Sequence, residues 1–258
     1  MMKFLLPLFL GSALLVFWEW VVGFLGVPIF VLPPPSQIAF SLINNFTSLM
    51  GALIVTLSIT GFAYFWALVG GVSLAILFTR SRFIEMSLAP YVVTLQVTPV
   101  VAIAPLILIW VGYENTNQAM IIIAWIVAFF PILTNTLQGI RSVDGSLHQL
   151  LQLSGAKWWQ VLIYLELPAA LPSILTGAKI SGGLALIGAV VAEFVAGSGT
   201  STGLAWRIIE AGNRLEIATM FAALTLLSIL GIMIYYAHNL VEWILLRKWH
   251  ESLSLIHI

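Results

Sequence analysis

Long apolar runs dominate this chain, and polar residues gather in the short segments between them. Most of the runs reach about 20 residues, the length that an α-helix needs to cross the hydrocarbon core of a bilayer. Strands of a membrane barrel would instead alternate over about 10 residues. The pattern predicts an all-α integral membrane protein in which one membrane domain, residues 1–258, has six transmembrane helices. Their predicted bounds are 4–25, 52–78, 88–112, 119–139, 180–196 and 217–246.

Composition and charge agree with a membrane protein. Of the 258 residues, 61% are hydrophobic and 8% are charged, whereas a soluble domain has about 25% charged residues. Ten basic residues balance ten acidic ones, so no excess charge indicates a nucleic-acid partner. The absence of cysteine excludes disulfides, thiolate metal sites and a cysteine nucleophile.

The distribution of basic residues predicts the orientation, because cytoplasmic loops are enriched in lysine and arginine. With the N-terminus inside, only Arg207 and Arg214 fall outside. Both termini are therefore predicted to be cytoplasmic. Phe4–Leu25 is interpreted as a span rather than a cleaved signal peptide, since it is longer than a signal-peptide core. The basic residues on the predicted inner side are Lys3, Arg80, Arg82, Arg141, Lys157, Lys179, Arg247 and Lys248.

The longest predicted inner segment, about residues 141–179, has the pattern of two short helices joined by a glycine. Ser146 can cap the first helix, and an apolar stripe follows at helical spacing. Gly155 stands where a helix would end in a left-handed residue. Pro168 and Pro172 are expected to break or kink the chain before it re-enters the membrane. The stripe consists of Leu147, Leu150 and Leu151, and the second helix contains Trp158, Trp159, Val161, Leu162 and Leu165.

Such an amphipathic helix pair needs an apolar partner, and the pattern leaves two alternatives open. The pair can pack on its own bundle or in the lipid headgroup layer, or it can dock on a separate protein. On the opposite side, Leu32–Ser36 is interpreted as a polyproline-like stretch that ends in an N-cap serine. A short interfacial helix with Leu42, Ile43, Phe46 and Met50 is expected to follow.

The inner segment resembles the EAA loop of ABC importer permeases. Gly155, nine further residues and Leu165-Glu166-Leu167-Pro168 match the glycine and the Ile-x-Leu-Pro end of the family pattern, whereas Gln149, Leu150 and Leu151 replace its Glu-Ala-Ala. The resemblance implies that Gln149–Lys157 is the coupling helix, with Gly155 at its turn. The implied ATPase-coupling residues are Gln149, Leu150, Leu151, Ser154, Gly155, Ala156, Lys157, Leu167 and Pro168.

Other segments are similar to the nitrate, sulfonate and taurine branch of these permeases, which includes thiamine-precursor and riboflavin permeases. They are Leu32–Ile38, Ile107–Gly112 and Val191–Phe194. The resemblance implies a bacterial inner-membrane protein, two copies of which form the solute pathway. It also implies two cytosolic ATPase subunits as partners and an external binding protein that delivers the solute.

No catalytic residue, cofactor or metal is expected in this chain. The sequence contains no Gly-x4-Gly-Lys-Ser/Thr motif, so ATP hydrolysis is expected in the separate ATPase subunit.

Polar residues inside the spans are candidates for the pathway or its gate. Pro90, Pro99 and Pro105 interrupt the third span, and irregular backbone at membrane depth is tolerated only inside protein or beside water. Glu193 either pairs with Arg207 or a helix terminus, or it belongs to a gate. A stripe of small residues in the fifth span serves either packing within the chain or contact with a second copy. The candidate pathway residues are Gln96, Thr98, Asn135 and Glu193, and the stripe is Gly177, Ser181, Ala185 and Ala189.

Three other functions compete with an importer subunit. A secondary transporter would be expected to show internal repeats, and none is visible. An intramembrane serine protease would pair Ser198 with His238, but Ser198 is predicted to lie past the outer end of the fifth span and His238 about 30 Å down the last span. An accessory subunit of another membrane complex remains open. Residues 253–258 are interpreted as a non-native tail, so His257 is given no role.

Overall fold

A computed structural model describes residues 2–196 and 203–247, with the backbone alone for residues 2–4. These residues form α-helices and no strand. A 3₁₀ turn at Tyr113–Asn115 precedes α6, and a π-helical turn at Leu162–Glu166 joins α8 to α9. The α-helices are α1 (Met2–Leu25), α2 (Pro35–Asn44), α3 (Phe46–Arg80), α4 (Arg82–Val97), α5 (Val100–Val111), α6 (Thr116–Arg141), α7 (Gly145–Leu153), α8 (Trp158–Val161), α9 (Leu167–Ala196), α10 (Leu204–Asn213) and α11 (Ile217–Leu246).

Within the described residues, five helical segments are long and apolar enough to cross a membrane. A sixth span exists only if α4 and α5 are counted together, and these two helices meet at an angle of 106°. The predicted third span, 88–112, is therefore two helices, and of the three prolines expected to interrupt it only Pro99 lies at the break. The break falls at Thr98, whose backbone is extended, because Pro99 disfavours the helical conformation of the residue before it.

The fifth span is longer than the predicted 180–196. Trp158–Ala196 forms one apolar helical segment, so of the break or kink expected at Pro168 and Pro172, the break is wrong. The π-helical turn explains the continuity. The amide of Leu167 donates to the carbonyl of Leu162, five residues back, and this wider turn accommodates a proline that would clash with a regular α-helix.

The chain divides into two compact units, and the first comprises Met1–Thr56 with Gly197–Ile229. Its core includes Ile38, Leu49 and Leu204. Glu19 accepts hydrogen bonds from the amide and the hydroxyl of Ser36, at 2.9 and 2.7 Å. Ser36 is therefore not the predicted N-cap, because α2 already begins at Pro35, after the extended Pro34.

The predicted interfacial helix of the first unit is also shorter than expected. Helix α2 ends at Asn44, and Phe46 already begins α3.

Helix α10 was not predicted from the sequence. It has an ion-pair cluster in which Glu210 binds Arg207 at 2.6 Å and Arg214 at 2.8 Å.

The second unit, Leu57–Ala196 with Leu230–Ile258, is built on the close contact of α6 with α9. A Cβ atom added at Gly188 would lie 2.7 Å from the Cα atom of Ala124. One added at Gly177 would lie 2.8 Å from the carbonyl oxygen of Pro131. Small residues therefore bring two helix backbones into direct contact, as the small-residue stripe indicated.

Several predictions fall on parts of the chain that the structure does not describe. The glycine- and serine-rich segment with Ser198 lies among residues 197–202, and Lys248 and the interpreted tail lie among residues 248–258.

Candidate functional site

The candidate coupling segment, about residues 141–179, begins with a capped helix. The carboxylate of Asp144 accepts a hydrogen bond from the amide of Ser146 at 2.9 Å, which makes Asp144 the N-cap of α7. Hydrogen bonds from the backbone and then the side chain of Ser146 hold the pKa of Asp144 below its ordinary value. Ser146 is therefore the donor to the cap rather than the predicted cap, because the helix capped by Asp144 starts two residues earlier.

Helix α7 ends in a Schellman motif around Gly155. The amide of Gly155 donates to the carbonyl of Gln152, and the amide of Ala156 donates to the carbonyl of Leu151, both at 3.0 Å. Gly155 has φ +71°, a left-handed conformation that glycine adopts readily. A Cβ atom here would meet nothing within 4 Å. Gly155 is thus required by its backbone conformation and not by lack of space.

The surface of α7 and its turn is apolar and exposed. Helix α7 has no buried residue. Leu150 is 60% exposed and Leu153 is 87% exposed. Trp158 and Trp159 at the start of α8 are also exposed. An amphipathic helix that packed on its own chain would bury this face. Because the face is exposed instead, it suits an apolar partner.

The remaining predicted coupling residues line the same segment. Gln149, Ser154 and Lys157 are exposed, and Ala156 is half-buried. The Lys157 amide donates to the Gln160 side chain at 2.7 Å, which caps α8. Leu167 and Pro168 are half-buried at the start of α9. They therefore connect the exposed turn to the long membrane helix.

One buried carboxylate joins three elements beside this segment. Glu166 is 3% exposed, and its Oε2 atom forms an ion pair with Arg80, the last residue of α3. Its Oε1 atom lies 3.8 Å from Nε2 of His148 in α7. The guanidinium of Arg80 also lies 6.0 Å from the ring centroid of Trp158.

A polar cavity of about 540 Å³ lies against this cluster. Glu166 and His148 form part of its wall. The cavity is also lined by Arg141 in α6 and Glu85 in α4, which form an ion pair at 2.7 Å. The other lining residues are Phe78, Thr79, Arg82, Ile140 and Val143.

The structure does not bring the four candidate pathway residues into one cluster. Gln96 is exposed near the end of α4, and Thr98 lies at the bend before α5. Asn135 faces Gly177 in the contact of α6 with α9. Glu193 is fully buried in α9, 16 residues beyond Gly177, or about 24 Å along the helix. The polar side chains of α4 and α6 bond to their own helices, as Thr98 does to Thr94 and Asn135 to Pro131.

Arg80 and His148 were not predicted as site residues. In the sequence, Arg80 indicates only the orientation of the chain in the membrane, because a basic residue at a helix end commonly serves as an inner-side anchor. Glu166 offered a usable signal, since it is an isolated acidic residue in the otherwise apolar Val161–Leu167. A buried carboxylate in such a run needs a cationic partner, although the pattern does not say which one.

Comparison with known proteins identifies the family. Residues 67–242 match the model of the family described as binding-protein-dependent transport system inner membrane component. The chain belongs to this family. It is a transmembrane permease subunit of the ABC importer class, and its several apolar helices make it a multi-pass membrane protein.

The relatives are named as transport permeases. The chain is 36% identical to the riboflavin transport system permease RibX of Chloroflexus aurantiacus, over 93% of this chain and 88% of that one. It is 32% identical to the formylaminopyrimidine transport permease ThiX of Halalkalibacterium halodurans, over 93% of each. It is 30% identical to the taurine transport permease TauC of Escherichia coli, over 94% of this chain and 89% of that one.

The fold is also found in a solved transporter. A chain from an inward-facing crystal structure of the MetNI methionine ABC transporter superposes with a TM-score of 0.68 and 20% sequence identity. The match covers 78% of this chain and 98% of that chain. The shared fold is that of an ABC transporter.

Proposed function

We propose that two copies of this chain form the membrane pathway of an importer, and that the surface around Gly155 docks on a cytosolic ATPase subunit. The exposed apolar face of α7 is the observation that carries the proposal, since Leu147, Leu150 and Leu153 are left exposed by the described part of the chain. Closure of the ATPase pair would push on α7 and tilt the spans, a rigid-body change between inward- and outward-open states. Gln149–Lys157 is the proposed contact segment.

The orientation follows from the basic residues. Arg80 and Arg141 end α3 and α6 on the same side as α7, and clusters of arginine favour the cytoplasm. The proposed ATPase-facing side is therefore cytoplasmic, as are both termini. The membrane is the bacterial inner membrane, and an external binding protein delivers the solute to the opposite side.

The bend between α4 and α5 is proposed to line the pathway. Non-helical backbone at membrane depth requires protein or water around it, and Thr98 interrupts the helix there. Gln96 lies two residues earlier and is exposed. Asn135 and Glu193, which lie away from this bend, are proposed to act in a gate that opens with the movement of α6 and α9.

The proposed solute is small and organic or a small inorganic anion. Relatives are named for riboflavin, formylaminopyrimidine, aliphatic sulfonates and taurine. Nitrate, sulfonates, taurine and vitamin precursors are all candidates for this chain.

A secondary transporter or an accessory subunit would not require the exposed α7 surface to bind an ATPase.

Photo-crosslinking tests the proposed docking surface. The chain is expressed with the ATPase encoded beside it, and benzoyl-phenylalanine replaces Leu153, which is 87% exposed. We expect a covalent product with the ATPase subunit. The matched control is the same residue at Phe30, which is also exposed but lies in the α1–α2 connection. Equal crosslinking to the ATPase from both positions, or none from Leu153, would contradict the proposal.

A further inference from the structure

The Glu166 carboxylate is the point at which the coupling segment meets the rest of the second unit. It lies at the end of the π-helical turn, directly before α9. Both of its oxygens face cationic or potentially cationic side chains, Arg80 and His148. A buried carboxylate without such partners is strongly disfavoured, so the position of Glu166 depends on them and theirs on Glu166.

Arg80 contacts the coupling segment at two places. Its guanidinium pairs with Glu166 and lies 6.0 Å from the ring centroid of Trp158, three residues after Gly155. An arginine over an indole ring adds a cation–π attraction to the ion pair. The end of α3 is therefore attached to both ends of the short stretch between the turn and α9.

Helix α7 is attached through the same carboxylate. His148 lies on α7 and faces the second oxygen of Glu166 at 3.8 Å. Helix α7 itself has no buried residue that would fix it by apolar packing. The cavity of about 540 Å³ beside the cluster leaves space on the side of Glu85 and Arg141. Apart from the covalent connections at its two ends, a displacement of α7 therefore reaches α3 and α9 chiefly through Glu166.

We infer that Arg80, His148 and Glu166 are positioning residues, and that they transmit movement of α7 to α3 and α9. This inference rests on the proposed function, because it requires that an ATPase subunit moves α7. The position occupied by Glu166 is the variable one in the Ile-x-Leu-Pro pattern, so the inference concerns a property of this chain.

Two fluorescent reporters test the inference. The chain contains no cysteine, so Gln152→Cys on α7 and Leu77→Cys on α3 can each be labelled singly with bimane. Both positions are exposed. The complex with its ATPase is measured without nucleotide and after trapping with ATP and orthovanadate. In the native background we expect both reporters to respond to trapping.

Glu166→Gln and Arg80→Gln are then introduced into each reporter chain. We expect the α7 response to persist and the α3 response to fall about fivefold or more, the lower end of typical coupling between two sites. Glu85→Gln removes an ion pair with Arg141 that also lines the cavity, and it serves as the matched control with a native α3 response. A merely structural defect would lower both reporters together.

The Arg80→Gln/Glu166→Gln double variant leaves no unpaired buried charge, so it keeps the test valid if a single variant does not fold. We expect it to fold with a weakened α3 response. A native α3 response in the double variant would overturn the inference while leaving the proposed function intact. Absence of the α7 response in the native complex would instead overturn the proposed function, and the inference with it.

Discussion

The contact of α6 with α9 and the turn after α7 both depend on glycine, but for opposite physical reasons. At Gly188 the backbone of α6 occupies the space that a side chain would need, and a Cβ atom would lie 2.7 Å from the Cα atom of Ala124. At Gly155 the space is open and the backbone is left-handed. One region is closed to side chains because two helices touch. The other is open because no described residue covers its apolar surface.

The two regions are suited to different tasks. The α6–α9 contact is buried and close-packed, as a rigid element should be. The α7 surface is exposed and apolar, as a binding surface should be. Helix α9 belongs to both regions, because the helical segment that follows the turn continues without a break to Ala196. A movement at the turn can therefore be transmitted along a stiff helix.

The largest expected effect comes from adding a side chain at Gly188, where α6 leaves no room for one. Gly188→Val forces the backbones of α6 and α9 apart, and overpacking of this kind costs about 3 kcal/mol. We expect a sharp loss of folded protein and a lower Tm in detergent. Gly183→Val is the matched control on the same helix, since a Cβ atom there meets nothing within 4 Å. Equal destabilisation by both changes would show that helix propensity, not contact, governs these sites.

A smaller effect is expected at Gly182, where the neighbour is a side chain. A Cβ atom there would lie 2.4 Å from Cε1 of His238. The imidazole cannot easily move away, because Nδ1 lies 2.7 Å from the carbonyl oxygen of Ile234 and Nε2 lies 2.8 Å from the hydroxyl of Tyr64. Gly182→Ala should therefore cost about 1–3 kcal/mol.

The double variant Gly182→Ala/His238→Ala checks the cause of that loss. Removal of the imidazole makes room for the new methyl group, so the Tm of the double variant should exceed that of Gly182→Ala alone. If His238→Ala only adds to the damage, the contact between the two residues is not its source.

The smallest effect is expected at the N-cap of α7. Asp144→Ala removes the acceptor for the Ser146 amide, so hydrogen exchange should speed up in the first turn of α7, while Asp144→Asn should preserve its protection. The cap is also pH-dependent. Because folding lowers the pKa of Asp144, its contribution is complete above the ordinary value of 3.8 and is lost as the pH falls through the lowered pKa. Pulsed hydrogen-exchange labelling at neutral and acidic pH measures the protection of the first turn of α7. Protection that does not change with pH would contradict a role of the Asp144 carboxylate.

The sequence predicted the helical membrane class and the left-handed Gly155 because both follow from local rules. Apolar runs of sufficient length have few alternatives to a membrane helix, and a glycine after an apolar stripe is a common helix end. The prolines were harder to interpret. Pro99 separates two helices, whereas Pro90 and Pro105 lie inside α4 and α5. Only the surroundings of each proline decide whether the chain breaks there.

The partners of Glu166 lay beyond local rules as well. Arg80 is 86 residues away along the chain, and the π-helical turn that positions Glu166 is not visible in a 3.6-residue pattern. Sequence periodicity shows which residues share a helix face, but it does not show which helices meet. The coupling segment was therefore predictable as a motif, whereas its attachment to α3 required the structure.

Recovery of the ATPase with a tagged chain tests most simply whether the turn at Gly155 is needed to bind the ATPase subunit. Native chain, Gly155→Val and Gly155→Asn are each expressed with the neighbouring reading frames, extracted in mild detergent and assayed for bound ATPase and for ATP hydrolysis. A β-branched residue is strained in the left-handed conformation, whereas asparagine tolerates it. We predict that the valine variant inserts and folds but loses the ATPase, and that the asparagine variant retains it. Native recovery of the ATPase with Gly155→Val would contradict the account.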